Sequence, residues 1–128
     1  MDESEKEFLV LAEYPVINQK NLEKLRNNTV NNPQLLKEIF QSFLEESSSL
    51  INDIKSAIEK QNHDLYYTAV HSLKGLSGTI GCSRMFELLK MMDALNKENQ
   101  YNRSQDYYQQ LQITFSETAD EINKEVLN

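Results

Sequence analysis

The placement of proline and glycine constrains the fold of this chain more than any other feature of its sequence. Both prolines, Pro15 and Pro33, come before residue 34, and the only glycines, Gly75, Gly78 and Gly81, lie within one stretch of seven residues. The residues that most often interrupt a helix are therefore absent from most of the chain after Pro33. Strand signals are also missing, since the sequence has no long alternating stretch and no Asn-Gly or Asp-Gly turn. The sequence predicts an all-α protein.

Apolar spacing and capping residues divide the chain into five predicted helices. Asn18, Asn32 and Asn62 are the expected N-terminal caps of the first, second and third helices, and Pro33 is the expected first residue of the second. Gly81 is expected to end the third helix in the left-handed conformation. The helices cover residues 19–27, 33–60, 63–80, 83–95 and 103–126.

The arrangement expected of these helices is an antiparallel up-down-up-down four-helix bundle with an additional short N-terminal helix. The bundle domain spans residues 16–128, and residues 1–15 form either a tail or linker or a short extra helix. The residues predicted to face the core are Leu22 and Leu25; Leu36, Phe40, Phe43, Ser47, Leu50, Ile54 and Ile58; Leu65, Ala69, Leu73, Leu76 and Ile80; Phe86, Leu89, Met92 and Leu95; and Tyr108, Leu111, Phe115, Ile122 and Val126.

Charge and composition argue against several classes of function. The 128-residue chain has a formal net charge of −7 and no run of Lys or Arg, which argues against nonspecific binding to nucleic acid or to an anionic membrane surface. No stretch is apolar over the roughly 18 residues that a membrane-spanning helix needs. The single cysteine, Cys82, cannot form an intramolecular disulfide. These features predict one cytoplasmic domain.

Two of the three glycines share a helix face with a histidine. With His71 taken as zero and about 100° per residue, the predicted core stripe of the third helix lies at about 120–200°, so His71 points away from the core. Lys74, Gly75 and Gly78 lie within about 60° of His71 on its C-terminal side. Glycine lacks the Cβ that would crowd the imidazole. This patch therefore predicts a surface where a large partner approaches the ring closely.

An exposed histidine beside a lysine and an uncrowded backbone suits phosphoryl transfer. A neutral imidazole has a nitrogen lone pair that can attack phosphorus, and the N–P bond is labile enough to pass the group on. A mobile ammonium at Lys74 would offset charge on the phosphoryl oxygens. The residue types alone leave other interpretations open: His71 and Lys74 as ordinary surface residues, or Gly75 and Gly78 as a seat for a neighbouring helix or a dimer partner.

The stretch AVHSLKGLSGTIGCSRM, residues 69–85, resembles the signature of histidine-containing phosphotransfer (HPt) domains. That signature reads His-x-Leu-Lys-Gly, then a small residue, then Gly-Ala-x-x-Leu. Cys82 and Met85 stand where the family has alanine and leucine, and Val70 stands where it has alanine before the histidine, a change that we expect to affect how closely a partner packs. The resemblance covers roughly residues 16–126.

The resemblance implies a phosphocarrier whose exposed histidine accepts a phosphoryl group from a receiver-domain aspartate and passes it to another receiver. His71 would be the phosphoacceptor and Lys74 the support for phosphoryl charge. The chain would not be an enzyme with nucleotide-binding or autokinase elements, although it could belong to a hybrid histidine kinase. The expected partners are response-regulator receivers and a sensor or hybrid histidine kinase. We expect a monomer that neither binds nucleic acid nor inserts into a membrane. We also expect no cofactor and no metal, because Mg²⁺ would be bound by the receiver.

The receiver is expected to dock on the patch around His71. Asp64 and Tyr67 share this face and resemble the family's approach to the histidine. Leu35 and Ile39 lie off the core stripe of the second helix, where they either form an apolar patch beside the histidine or pack against the first helix. A competing hypothesis is a helical-bundle adaptor that binds a receiver or kinase through the same face without accepting phosphate.

Overall fold

A computed structural model describes residues 3–95 and 97–128, with the side chains of residues 5–95 and 102–128. These residues are almost entirely helical and include no strand, so the all-α prediction is confirmed. A 3₁₀ helix over Leu9–Glu13 follows the first helix, and a π-helical stretch over Asn123–Leu127 follows the last. The α-helices are α1 (Glu3–Phe8), α2 (Gln19–Asn28), α3 (Pro33–Lys60), α4 (His63–Ile80), α5 (Ser83–Asp93) and α6 (Lys97–Ile122).

The helix ends confirm most of the predicted caps. The side chains of Asn18 and Asn62 each accept a hydrogen bond from the backbone N–H three residues on, at 2.9 and 3.0 Å. Pro33 begins α3, where a proline's missing N–H leaves no partner unsatisfied, but the preceding Asn32 makes no side-chain cap bond. Gly81 follows α4 with a φ of 89°, the left-handed conformation that the sequence predicted.

The long helices enclose one apolar core. α3 packs against α4, α4 against α5, α5 against α6, and α6 against α3. Burying each large apolar side chain contributes roughly 1.5–3 kcal/mol. Several of these side chains are almost completely buried, among them Phe40, Ile54, Leu73, Met85, Leu88, Leu89, Leu111 and Ile122.

The buried face of α4 is wider than the predicted stripe. Tyr66, Val70 and Ser77 are buried, whereas Leu65 and Leu76 are only half-buried. The physical reason is that α4 contacts both α3 and α5, so two sides of the helix are covered. Val70 has no exposed surface and cannot contact a partner, which corrects the expectation that this departure from the HPt signature affects docking.

Similar shifts occur in the neighbouring helices. In α3, Ile51 and Ala57 are buried and the predicted Leu50 and Ile58 are half-buried. In α5, Met85 and Leu88 lie in the core, and Phe86 is half-buried instead. In α3 the buried residues on either side of Ile54 are three positions away from it and not four as predicted, and in α5 the buried stripe is displaced or widened by one residue. The sequence cannot distinguish these choices, because apolar residues stand next to one another there.

The helix α6 is longer than predicted and has polar residues in its core face. It begins at Lys97 and not near Arg103, so the predicted loop is helical from residue 97, while residue 96 lies outside the described residues. Thr114 and Thr118 are fully buried. The hydroxyl of Thr118 donates to the carbonyl oxygen of Thr114 at 2.8 Å, which satisfies the buried polar group.

The segment before residue 16 packs against α6. The rings of Phe8 and Tyr107 meet edge to face with centroids 5.0 Å apart, and Leu11 is buried. A carboxylate oxygen of Glu7 accepts hydrogen bonds from the guanidinium of Arg103, at 2.7 Å, and from the hydroxyl of Tyr107. Of the two alternatives for residues 1–15, the short extra helix is therefore the one present. Residues 1 and 2 lie outside the described part of the chain. The domain boundary at residue 16 stays a prediction.

The contact between Glu7 and α6 should make the docking of α1 depend on pH. The hydrogen bond from Arg103 lowers the pKa of Glu7 below 4.5, although partial burial acts in the opposite direction. A carboxyl with a lowered folded-state pKa stabilises the fold above its ordinary pKa, and this contribution is lost as pH falls through the folded-state value. We therefore expect the contact between α1 and α6 to weaken as the pH falls below the ordinary carboxyl value of 4.5. NMR shifts of the Phe8 and Tyr107 rings, followed as a function of pH, measure this change. If Glu7→Gln shows the same pH dependence as the wild type, Glu7 is not the group responsible.

Candidate functional site

The imidazole of His71 projects from the middle of α4 into solvent. His71 is exposed, while Leu73, two residues further along the helix, has no exposed surface. Because successive residues of a helix are about 100° apart, burial of Leu73 turns His71 away from the core. The exposure expected of His71 is therefore present, and its role as a phosphoacceptor stays a prediction.

A groove of about 610 Å³ runs between α3 and α4 beside this histidine. His71 and Gly75 lie on its α4 wall, and Ile39, Glu46 and Leu50 lie on its α3 wall. The groove is mainly apolar, and Glu46 contributes one carboxylate to its lining. It is open along one side, which gives a second protein access to the histidine.

Gly75 leaves unoccupied space next to His71. A Cβ built on Gly75 would have no neighbouring atom within 4 Å apart from its own helix backbone. Nothing in the fold therefore requires a glycine at this position, and a glycine inside a helix costs about 0.5–1 kcal/mol relative to alanine. The space that Gly75 leaves opens onto the groove, as clearance for a partner requires.

The other predicted members of the patch turn towards α5. On a helical wheel, Lys74, Tyr67 and Gly78 lie about 20–60° to one side of His71, and Gly75 lies about 40° to the other side. The first three contact α5 or the residues that follow it, and Gly75 faces α3. The patch predicted as one surface is therefore divided at His71 into two sides with different neighbours.

The ammonium of Lys74 is bound to Asp93, the last residue of α5. The distance between Lys74 Nζ and Asp93 Oδ2 is 2.6 Å, and the two side chains are 23% and 26% exposed. The sequence suggested a mobile ammonium above the patch, and the structure corrects this, because a carboxylate from another helix holds the group. Lys74 remains one helical turn from His71.

Two tyrosines of α4 fix the chain on either side of Asp93. The hydroxyl of Tyr66 donates to the carbonyl oxygen of Met92 at 3.3 Å, and that of Tyr67 donates to the carbonyl oxygen of Leu95 at 2.7 Å. Burial raises the pKa of Tyr66, which keeps its hydroxyl protonated. Tyr67 thus has a role in the fold, and its predicted role in docking stays a prediction.

Gly78 faces the aromatic ring of Phe86 on α5. A Cβ on Gly78 would lie 3.8 Å from two carbons of that ring, an ordinary van der Waals distance. Gly78 does not line the groove beside His71. Because the distance to the Phe86 ring leaves room for a Cβ, the packing of α5 does not require a glycine here, and both interpretations of Gly78 stay open.

The remaining predicted docking residues are only in part gathered around His71. Ile39 lines the groove together with the histidine. Leu35 lies one turn earlier on α3, is 40% exposed, and does not line the groove. Asp64 is exposed in the first turn of α4, about two turns before His71 on the same face. Their docking roles stay predictions.

Sequence reasoning missed Asp93 and the two groove residues Glu46 and Leu50. Asp93 lies 19 residues after Lys74 on another helix, and no local pattern links the two. A helical wheel of the second predicted helix could have placed Glu46 off the core stripe. It could not have shown that this residue lines the same groove as the histidine, because that depends on how α3 and α4 pack.

Other reactive groups do not form a second centre within the described residues. Burial raises the pKa of the Cys82 thiol to about 12, so this side chain acts as a packing residue. Among the side chains that the structure describes, no three His, Cys, Asp or Glu residues group together so that they could hold a metal ion. No helix of the described residues is both long enough and apolar enough to cross a membrane.

A family comparison assigns the chain to a known class. The family model of the Hpt domain matches residues 38–122, which include most of α3, all of α4 to α6 and the groove with His71. The chain therefore belongs to the Hpt domain family. Proteins of this family are phosphocarriers of two-component phosphorelays and interact with receiver domains and histidine kinases. No curated protein and no solved structure gave a significant match to the chain.

Proposed function

We propose that this protein carries phosphoryl groups between receiver domains through His71. The observation that carries the proposal is the exposed mid-helix imidazole beside a groove in which Gly75 leaves open space. A ring nitrogen attacks phosphorus, and the P–O bond of the receiver's acyl phosphate breaks with its electrons left on the aspartate carboxylate. The proton on the second ring nitrogen can leave to water. Mg²⁺ bound by the receiver would neutralise charge during transfer. We also propose that the carrier is cytoplasmic and monomeric.

The packing of the helices supports an antiparallel up-down-up-down bundle around this site. α3 and α4 pack together and are joined by Gln61 and Asn62 alone, and so short a connection places neighbouring helices antiparallel. In that arrangement Leu50 lies at the His71 end of the groove and Ile39 lies at the other end. The surface available to a receiver then extends from the imidazole along the groove.

The proposed docking surface combines apolar and acidic groups. Ile39 and Leu50 provide apolar area in the groove, and Glu46 provides a carboxylate in its lining. Leu35 would extend the apolar area by one turn, and Asp64 and Tyr67 would border the surface beyond His71. A receiver seated there brings its phosphoaspartate to the imidazole because Gly75 leaves no side chain in between. Gly78, which is exposed, would border the surface on the α5 side of His71.

Replacement of Gly75 by leucine separates docking from folding. We expect Gly75→Leu to raise the free energy of unfolding by about 0.5–1 kcal/mol, since a good helix former replaces glycine in open space. The same side chain would enter the space that the receiver needs and weaken receiver binding by about tenfold or more. Urea denaturation and calorimetric titration with receivers measure the two effects. Gly75→Ala, which gives a similar gain in helix stability but adds only a methyl group, is the control, and unchanged receiver binding by Gly75→Leu would refute the clearance hypothesis.

Transfer of labelled phosphate tests the function against the adaptor hypothesis. A receiver phosphorylated with a radioactive phosphoryl group is mixed with this protein, which is then separated and offered to a second, unlabelled receiver. A carrier takes up the label and delivers it to the second receiver. An adaptor binds the receiver and gains no label, and that outcome would replace the proposal with the competing one.

A further inference from the structure

We propose that Asp93 is a positioning residue for Lys74, and that it competes with a phosphoryl group on His71 for the Lys74 ammonium. The inference rests on the proposed function and adds a control on the lifetime of the phosphohistidine. The observation that supports it is the ion pair between α4 and α5, with 2.6 Å between Lys74 Nζ and Asp93 Oδ2. The sequence does not indicate this pair, and the chemistry of His71 alone does not require it.

Two tyrosines of α4 hold the backbone on both sides of Asp93. The hydroxyls of Tyr66 and Tyr67 donate to the carbonyl oxygens of Met92 and Leu95, one on each side of Asp93. The helix that bears His71 and Lys74 therefore also positions the end of α5. Asp93 and Lys74 are each about three-quarters buried, so their charges are screened less than those of a fully exposed pair.

A second ion pair of α5 shows what an ordinary surface contact looks like in this protein. Lys90 and Glu87 lie three residues apart on the same helix, with 3.4 Å between Nζ and Oε2, and the lysine side chain is 56% exposed. That pair joins no second helix and includes no residue near His71 in the sequence. Glu87 therefore offers a matched control carboxylate on α5.

Lys74 has two anions available once His71 is phosphorylated. It lies one helical turn after His71, so its flexible side chain can turn towards a phosphoryl group on the ring or remain with Asp93. A phosphoryl group and a carboxylate that share one ammonium each receive less stabilisation than either would alone. Asp93 therefore leaves the phosphohistidine less stable than a free lysine would, and onward transfer becomes more favourable. The exchange makes and breaks no covalent bond.

The lifetime of the phosphohistidine tests this competition. The wild-type protein and the variants Asp93→Asn, Lys74→Ala, the double variant and Glu87→Gln are loaded with phosphoramidate, which phosphorylates imidazole and releases ammonia. Loss of the phosphohistidine signal is then followed by ³¹P NMR. We expect Asp93→Asn to lengthen the half-life about two- to fivefold, as expected for release of a partly exposed ion pair. Glu87→Gln should match the wild type, and Lys74→Ala should shorten the half-life.

The double variant shows whether Asp93 acts through Lys74. In the Lys74→Ala background, Asp93→Asn should cause no further change, because the competition needs the ammonium. Equal lengthening in both backgrounds would mean that Asp93 repels the phosphoryl group directly, and would overturn the proposal. A second readout is the ¹⁵N signal of the Lys74 ammonium, which should shift on phosphorylation of the wild type and shift at least as much in Asp93→Asn, where no carboxylate competes for it.

Two further outcomes distinguish failure of the Asp93 role from failure of the phosphocarrier function. If the wild type takes up phosphate and Asp93→Asn has the same half-life, the role of Asp93 is refuted while the phosphocarrier function stands. If the wild type takes up no phosphate from either phosphoramidate or a receiver, the proposed function fails and this inference fails with it. Asp93→Ser provides a second neutral variant should the asparagine variant not fold, and the same comparison applies to it.

Discussion

Replacement of His71 by glutamine is expected to abolish phosphoryl uptake and to leave the helical fold intact. The nitrogen lone pair of a carboxamide is delocalised into the carbonyl group, so glutamine cannot replace the imidazole as a nucleophile. His71 is exposed and makes no contribution to the core, and glutamine is a better helix former than histidine. We therefore expect the free energy of unfolding to change by less than about 0.5 kcal/mol. Labelled phosphate from a charged receiver and circular dichroism measure the two quantities.

The second histidine of the chain provides the matched control. The sequence contains two histidines, and His63 is the first residue of α4, about two turns before His71. His63→Gln should take up phosphate at the rate of the wild type. Wild-type uptake by His71→Gln, or loss of uptake in His63→Gln alone, would show that the acceptor has been assigned to the wrong residue.

Replacement of Gly81 by alanine is expected to destabilise the protein by about 2–4 kcal/mol. Gly81 has a φ of 89°, and a residue with a Cβ loses roughly 1–2 kcal/mol in the left-handed conformation. The added Cβ would also lie 2.7–3.0 Å from the side chain of Asn21, which must then move. That side chain donates hydrogen bonds to the carbonyl oxygens of Thr79 and Ile80 at the end of α4, each contributing about 1 kcal/mol.

Gly75→Ala should have the opposite effect on stability. The two glycines lie only six residues apart, but a Cβ at Gly75 enters open space in the middle of α4. Alanine there should stabilise the protein by about 0.5–1 kcal/mol. Urea denaturation of both variants beside the wild type measures the difference, and a Gly81→Ala protein as stable as the wild type would disprove the account of how α4 ends.

Local sequence signals predicted the ends of helices better than their buried faces. Asn62 and Gly81 act on the residues next to them, and the structure confirms both. The buried face of α4 was predicted too narrow, because a single apolar stripe assumes one neighbouring helix. α4 has two, so Tyr66 and Val70 are also covered. A wheel plotted for one helix cannot show how many helices surround it.

In the candidate site, too, the sequence predicted the features of a single helix but not the contacts between helices. The exposure of His71 and the open space at Gly75 follow from positions along one helix, and both are present. The wheel placed Lys74 and Gly78 near His71 correctly, but it could not show that α5 covers that side. Asp93, which holds Lys74, comes from another helix, and only the packing of α4 on α5 reveals it.

Mapping the phosphate on the wild-type protein identifies the phosphoacceptor without any substitution. The protein is incubated with a phosphorylated receiver, digested and sequenced by tandem mass spectrometry, and parallel samples are exposed to acid and to base. We expect one phosphate, on His71, that survives base and is lost in acid. An acid-stable phosphate on the neighbouring Ser72, a phosphate on His63, or a receiver that binds without transferring any phosphate would contradict it.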